Sequence, residues 1–151
     1  MGLDMYLTAE KYISGYSEQT KRDIALEGLE GDHPPTKPDT SVTITLDLAY
    51  WRKANQIHQW FVNEVQNGED DCGDYYVSRE QLIELRDLCQ QVLDNPEDAE
   101  ELLPTQGGFF FGSTEFDEWY LASLKDTTEI LDRILNNEKF AEWDFKYTSS
   151  W

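Results

Sequence analysis

The sequence predicts a single α+β domain over residues 1–151, with a small antiparallel sheet that includes both terminal strands. Segments near both ends of the chain alternate apolar and polar residues, which is the period of a half-buried strand. Three long segments between them repeat apolar residues at helical spacing. No internal repeat or linker divides the chain, and one domain of this length buries about 70% of the unfolded chain's surface. We therefore expect three main helices and one short acidic helix on one side of the sheet.

Three segments are predicted to form strands. Residues 3–7 alternate Leu, Met and Leu with Asp and Tyr, and residues 42–48 alternate Val, Ile and Leu with Thr and Asp. Residues 143–147, Trp-Asp-Phe-Lys-Tyr, repeat the pattern near the end of the chain. Residues 31–40 hold three of the five prolines and are predicted to be a loop.

Four segments are predicted to form helices. The first covers 50–65, where apolar residues lie on one stripe, and an Asn-Gly pair ends it. The second covers 78–93 and opens with a capping box, a Ser followed three residues later by Gln. A short acidic helix follows over 95–103, with Pro at the favoured first position. The longest helix begins at a cap formed by Ser113 or Thr114 and ends near Asn136.

The chain carries 31 acidic residues against 12 basic ones, a formal charge of −19 that is spread over both halves of the sequence. Such a field repels nucleic acid and anionic membranes and attracts basic surfaces. We therefore expect no direct binding of nucleic acid or membrane. The acidic surface is either simply solvated, or it copies the phosphate spacing of DNA and engages a basic host protein. The candidate partner-binding run, which contains no base, comprises Asp94, Glu97, Asp98, Glu100 and Glu101.

The composition favours a folded protein despite this charge. Aromatic residues make up 13% of the chain, whereas disordered acidic chains are poor in them. No apolar run of about 18 residues predicts a membrane span, and the N-terminus lacks the features of a secretory signal. Cys72 and Cys89 show no metal-binding spacing and are predicted to be reduced thiols in a cytoplasm. No cofactor is predicted.

Five stretches of the sequence resemble a family of small proteins of tailed phages and prophages. They are residues 1–7 (Met-Gly-Leu-Asp-Met-Tyr-Leu), 50–62 (beginning Tyr-Trp-Arg-Lys-Ala-Asn), 71–78 (Asp-Cys-Gly-Asp-Tyr-Tyr-Val-Ser), 103–113 (containing Gly-Phe-Phe-Phe-Gly-Ser) and 147–151 (Tyr-Thr-Ser-Ser-Trp). The resemblance covers nearly the whole chain. It implies a viral protein made in a bacterial cytoplasm, and it implies no reaction. By analogy with other small non-structural phage proteins, a counter-defence role is expected.

An aromatic pocket with an arginine is the second candidate site. Arginine clamps anions bidentately or stacks on rings, and free N–H groups at a helix N-terminus attract anions. We expect the start of the first helix near Tyr50, the Tyr75-Tyr76 segment and the loop around Phe109–Phe111, called the Phe-rich loop, to meet around one concave site for a small nucleotide-like ligand. Alternatively, the histidine is an ordinary core residue and the loop is anchored by its own aromatic side chains. The candidate ligand-binding residues are Arg52, Lys53, His58, Tyr75, Tyr76, Phe109, Phe110, Phe111 and Ser113.

Motifs for catalysis or metal binding are sparse. The carboxylates of residues 69–74 include a Gly and suit Ca²⁺ chemically, but the EF-hand spacing is absent. With only His33 and His58 in the chain, a mechanism that pairs Cys72 or Cys89 with a histidine has one plausible base. No catalytic residue and no metal ligand is therefore predicted.

The leading hypothesis is a non-enzymatic, phage-encoded binding protein of counter-defence that acts in the cytoplasm of a bacterial host. It either blocks a basic host protein or sequesters a small nucleotide-like immune signal. The charge favours the first version, and the aromatic and Gly-rich motifs favour the second. The alternative is a small cytoplasmic hydrolase that uses the aromatic and arginine pocket.

Overall fold

The computed structural model describes residues 2–13 and 42–151, whose strands form one four-stranded antiparallel sheet. The strands are β1 (Asp4–Ile13), β2 (Val42–Arg52), β3 (Tyr75–Val77) and β4 (Asp144–Ser150), in the order β2-β1-β4-β3. The predicted α+β class is confirmed, and so is the pairing of the two terminal strands, because β1 pairs with β4. The predicted Pro-rich loop over 31–40, with His33, lies outside the described residues.

Four α-helices lie in the described part of the chain: α1 (Asn55–Glu64), α2 (Arg79–Asp94), α3 (Ala99–Leu102) and α4 (Glu118–Leu135). Short 3₁₀ turns cover Pro96–Asp98 and Glu138–Phe140. The predicted capping box at α2 is confirmed: the Ser78 hydroxyl accepts from the Gln81 N–H, and the Gln81 side chain accepts from the Ser78 N–H. None of the helices in these two ranges is both long and apolar enough to cross a bilayer.

The predicted first helix is wrong over its first five residues. β2 continues through Arg52, because Trp51 pairs with Met5 and Arg52 pairs with Asp4 of β1. The chain then turns at Lys53, which has a positive φ of 57° and donates its N–H to the Leu3 carbonyl. Tyr and Trp are common in strands, so the local pattern suits either structure, and the presence of β1 alongside decides for the strand.

The longest helix begins later than its sequence suggests. Asp117, and neither Ser113 nor Thr114, is the N-cap, because its carboxylate accepts from the N–H groups of Trp119 and Tyr120, both at 3.0 Å. Residues 104–117 therefore form a loop. The predicted acidic helix over 95–103 is a 3₁₀ turn followed by the single turn of α3.

The two faces of the sheet meet different surroundings. Met5, Leu7 and Tyr147 lie on the buried face, where the ring of Phe61 from α1 stacks on Tyr147 with centroids 3.8 Å apart. Tyr6, on the opposite face, is exposed. Because successive residues of a strand point to opposite faces, neighbours in sequence are separated by the sheet.

Candidate functional site

A buried asparagine fastens the Phe-rich loop to the start of α1. Asn55 donates from Nδ2 to the carbonyl oxygens of Phe111 (3.0 Å) and Ser113 (2.8 Å). Its Oδ1 accepts from the Gln106 N–H at 2.9 Å. Asn55 was not among the predicted site residues, although a polar residue on an apolar helix stripe is a signal that could have found it. Three backbone groups of this loop therefore hydrogen-bond to the single side chain of Asn55.

His58 lies at the centre of a buried hydrogen-bond chain. Its Nδ1 is 2.7 Å from the Tyr147 hydroxyl, and its Nε2 is 3.0 Å from Asp70 Oδ2. Burial, and secondarily the charge of Asp70, hold the pKa of Tyr147 well above its usual value. The Asp70 carboxylate can only accept, so it takes the proton on Nε2, and in the neutral imidazole Nδ1 then accepts from the Tyr147 hydroxyl.

Asp70 extends this chain to the last residue. Its Oδ1 accepts from the Trp151 indole N–H at 3.1 Å. The ring of Phe111 stands edge-on to both His58 (5.4 Å) and Trp151 (5.9 Å). We call Asn55, His58, Asp70 and Tyr147 the polar junction, since together they tie α1, the loop after it, the Phe-rich loop and β4.

The polar junction offers no free group for catalysis. His58 is fully buried, and both of its ring nitrogens already have protein partners. Burial raises the pKa of the Cys89 thiol to about 12, so this thiol stays protonated at neutral pH. Neither Cys89 nor the exposed Cys72 hydrogen-bonds to His58 within the described residues. The hydrolase alternative gains no support from these contacts.

The Phe-rich loop meets α1 as expected, but its three rings diverge. Phe111 packs on His58, whereas Phe109 is 96% exposed and stands edge-on to the half-buried Phe110. The Phe110 carbonyl accepts from the Leu3 N–H at 3.0 Å. Ser113 is exposed, and its hydroxyl accepts from the Glu115 N–H. Only one of the three rings, Phe111, contacts the polar junction.

Tyr75 and Tyr76 are neighbours in β3 and face opposite sides of the sheet. Tyr75 pairs with Tyr147 and hydrogen-bonds to Asp71, which raises the pKa of the Tyr75 phenol. Tyr76 is 67% exposed, and Lys146 Nζ lies 5.0 Å from its ring centroid. The two phenols therefore do not form one wall of a shared pocket.

Arg52 and Lys53 lie where β2 ends, and Arg52 lines a groove between β2 and α4. The groove measures about 370 Å³. Its lining contains Arg52 of β2 and, on α4, Arg133 together with Asp126 and Glu129, so its formal charges balance. Lys53 is exposed and packs against Gly112 of the Phe-rich loop. The residues lining this groove are Tyr50, Trp51, Arg52, Ala54, Ser123, Asp126, Glu129, Ile130 and Arg133.

A second groove, of about 460 Å³, follows β3 and the start of α2. Four aromatic side chains and one arginine lie in its lining, beside one carboxylate. It contains Tyr76 but neither Arg52 nor the Phe-rich loop, so neither groove unites the three predicted segments. Its lining residues are Tyr76, Val77, Ser78, Arg79, Gln81, Phe140, Ala141, Trp143, Asp144 and Phe145.

The predicted acidic run lies on the surface where α2 ends and α3 follows. Ala99 and Leu103 are buried and hold the segment to the core. The carboxylates project outward: Asp94, Glu97, Glu100 and Glu101 are exposed, and Asp98 is half-buried.

Two carboxylates of the second acidic run, over 69–74, make hydrogen bonds within the protein. Asp70 belongs to the polar junction, and Asp71 accepts from the Gly73 N–H at 2.8 Å, which lowers the pKa of the Asp71 carboxyl. In the described part of the chain, no group of three or more His, Cys, Asp or Glu side chains is placed to hold a metal ion.

Large aromatic side chains are exposed on the Phe-rich loop and the first turn of α4. Trp119 is 82% exposed and Phe116 is 45% exposed, in addition to Phe109. Acidic residues flank both, and no Lys, Arg or His occurs between Arg86 and Lys125. Composition alone gave no reason to separate these rings from the core aromatics.

No family model, curated protein or solved structure matches this chain.

Proposed function

We propose that the protein is a phage-encoded, non-enzymatic binding protein that blocks a basic host protein in the bacterial cytoplasm, as a counter-defence factor. The observation that carries the proposal is the pair of exposed aromatic side chains, Trp119 and Phe116, within a stretch that has acidic residues and no basic ones. We call Phe116, Trp119 and the acidic run from Asp94 to Glu101 the aromatic–acidic surface.

The exposed rings favour a protein partner. Exposed large apolar side chains rimmed by polar groups mark interaction sites, and Trp is among the residues that contribute most to binding energy. Trp119 lies beside Glu118 and Asp117, so an apolar contact at this position carries a negative rim. The rim selects a basic partner, and it accelerates the encounter at low salt.

The acidic run and the exposed rings belong to neighbouring elements. The Tyr120 hydroxyl donates to the Leu103 carbonyl at 2.8 Å, which joins the first turn of α4 to the end of the α3 segment. Phe116 packs edge-on to the same Tyr120, with ring centroids 5.0 Å apart. The first turn of α4, which carries Trp119, is thus joined to the end of the segment that carries the acidic run.

The test is affinity capture from lysate of the bacterial host, followed by mass spectrometry. The tagged wild-type chain should retain a basic protein, and added salt should weaken the retention because the Debye length is about 8–10 Å near physiological ionic strength. Trp119→Ala and the joint reversal of Glu97, Asp98, Glu100 and Glu101 to Lys should each reduce the retained amount about ten-fold or more.

Two controls separate this surface from net charge and general stickiness. Reversal of Glu64, Glu84, Glu129 and Glu138 to Lys changes the net charge equally at other exposed positions, and Tyr12→Ala removes an exposed ring elsewhere. Both control variants should retain the partner. Equal loss in the controls, or retention of nucleic acid in place of a basic protein, would contradict the proposal.

A further inference from the structure

We infer that the groove along β3 is a binding site for a small planar ring that carries an anionic group, either phosphate or carboxylate. In this site the aromatic side chains hold the ring and Arg79 takes the anion. The site lies apart from the aromatic–acidic surface, so the inference goes beyond the proposed function and does not depend on it.

The walls of the groove suit a flat ring. Phe140 and Trp143 stand edge-on with centroids 5.8 Å apart, and Phe145 lies behind Phe140 at 6.4 Å. Tyr76, whose ring lies with Lys146 on the other face of the sheet, borders the groove at the strand β3. Rings pack on one another in stacked or edge-on geometry, and such walls leave a planar ligand favourable contacts on its faces and edges. The volume of about 460 Å³ is within the range of small-molecule sites.

Arg79 has an unusual set of contacts for an arginine in so acidic a chain. Its Nη2 donates to the Leu135 carbonyl, while its Nη1 is buried without a hydrogen-bond partner among the described residues. Arg86 lies about two helical turns further along α2. It contacts the carboxylates of Asp87 and Asp132, at 2.7 and 2.9 Å. No described carboxylate lies within 4.0 Å of Arg79, so its guanidinium has bonding capacity left for an anionic ligand.

The remaining polar groups of the groove leave this role to Arg79. Ser78 and Gln81 satisfy each other in the capping box. Asp144 is the one carboxylate in the lining; it is exposed and stays hydrated. Lys146, which lies over the Tyr76 ring, is paired with Glu10 at 2.7 Å. Among the described residues that line the groove, Arg79 is therefore the one cation and has no described carboxylate partner, and its planar guanidinium fork matches phosphate or carboxylate geometry.

The test is a titration of isotope-labelled protein followed by NMR at the Arg79 Nε–H and the Trp143 indole N–H. Adenosine 5′-monophosphate serves as the phosphate probe and indole-3-acetate as the carboxylate probe. Adenosine and inorganic phosphate are the matched halves of the first probe, and indole and acetate are those of the second. At least one full probe should shift both signals saturably, and each of its halves should bind about ten-fold more weakly or worse, a difference of about 1.4 kcal/mol.

Variants locate the site. Arg79→Gln and Trp143→Ala should each raise the Kd about ten-fold or more, whereas Arg52→Gln in the other groove should leave it unchanged. Tyr76→Ala, at an exposed position, gives a further test should Arg79→Gln fail to fold. The inference is overturned if neither probe shifts the two signals, if one half binds as tightly as its probe, or if Arg52→Gln weakens binding as much as Trp143→Ala does. None of these outcomes involves a host protein, so they leave the proposed function to its own experiment.

Discussion

The polar junction and the aromatic–acidic surface differ in opposite ways from the usual placement of side chains, which puts apolar groups inside and polar groups in water. In the polar junction, polar groups lie in the interior and their functional atoms have protein partners: His58 through both nitrogens, and Asn55 through both ends of its amide. At the aromatic–acidic surface, apolar rings lie in water, and Trp119 is 82% exposed. Buried polar groups with complete partner sets stabilise a fold, whereas exposed large apolar groups mark binding.

The comparison corrects an expectation based on residue type. Histidine, tyrosine and aspartate often cluster in catalytic sites, yet here His58 hydrogen-bonds to both Tyr147 and Asp70. Tryptophan and phenylalanine are typical core residues, yet Trp119 and Phe116 lie outside the core. The groups that a partner can bind are therefore those left without a contact inside the protein.

The largest expected effect concerns the two cysteines. Cys89 is buried with its pKa raised to about 12, while Cys72 is exposed. At pH 8 a thiol-specific reagent should modify Cys72 about a thousand-fold faster than Cys89, because Cys89 reacts only after the helices open. Reaction kinetics on the Cys72→Ser and Cys89→Ser variants assign the two rates. Comparable rates would mean that the interior is far more open than the contacts indicate.

The same thiol gives a pH dependence with a definite sign. A raised pKa means that the folded state holds its proton longer than the unfolded state, whose thiol has a pKa near 9.0. The stability that this group contributes is therefore fully present below pH 9 and is lost as the pH rises toward 12. Urea unfolding of wild type and Cys89→Ala across that interval should show the difference between them shrinking as the pH rises.

His58→Leu should be the most destabilising single change in the polar junction. It leaves the buried Tyr147 hydroxyl without its acceptor, which costs about 1–3 kcal/mol, whereas Asp70, 25% exposed, can exchange the lost donor for water. We expect a loss of about 2–4 kcal/mol in the free energy of unfolding, measured by urea denaturation. Gln59→Leu is the matched control: among the described residues the Gln59 side chain bonds to the exposed Asn63 alone, so the change should alter stability by less than about 1 kcal/mol.

Asn55→Ala should have a smaller and more local effect. It releases the carbonyls of Phe111 and Ser113 and the Gln106 N–H, which can reach water once the loop loosens, so a loss of about 1–3 kcal/mol is expected. Amide exchange within residues 104–117 should accelerate more than exchange in α2.

Trp119→Ala, at the aromatic–acidic surface, should change the unfolding free energy by no more than about 0.5 kcal/mol. A larger loss there would show that this ring supports the fold.

Local sequence chemistry predicted much of the architecture and little of the sites. The Ser78 capping box, the alternation of β1 and β4, and the helical stripes of α2 and α4 are properties of residues close together in the chain. The start of α1 was misplaced because Tyr50 and Trp51 satisfy either period until β1 is present. The predicted pocket divided for a similar reason, since Tyr75 and Tyr76 are adjacent in sequence and the sheet places them on opposite faces.

By itself, the sequence determined the fold class, the strong negative charge and the ends of α2, because each depends on composition or on contacts within a few residues. Tertiary structure alone decided which polar groups hydrogen-bond inside the protein and which remain available to a partner. Trp51 meets Thr127 across 76 positions, and His58 meets Tyr147 across 89, and no periodicity encodes such pairs. It likewise placed Arg79, and not Arg52, in the aromatic groove, because the approach of the Glu138–Phe140 turn to β3 depends on how the whole chain packs.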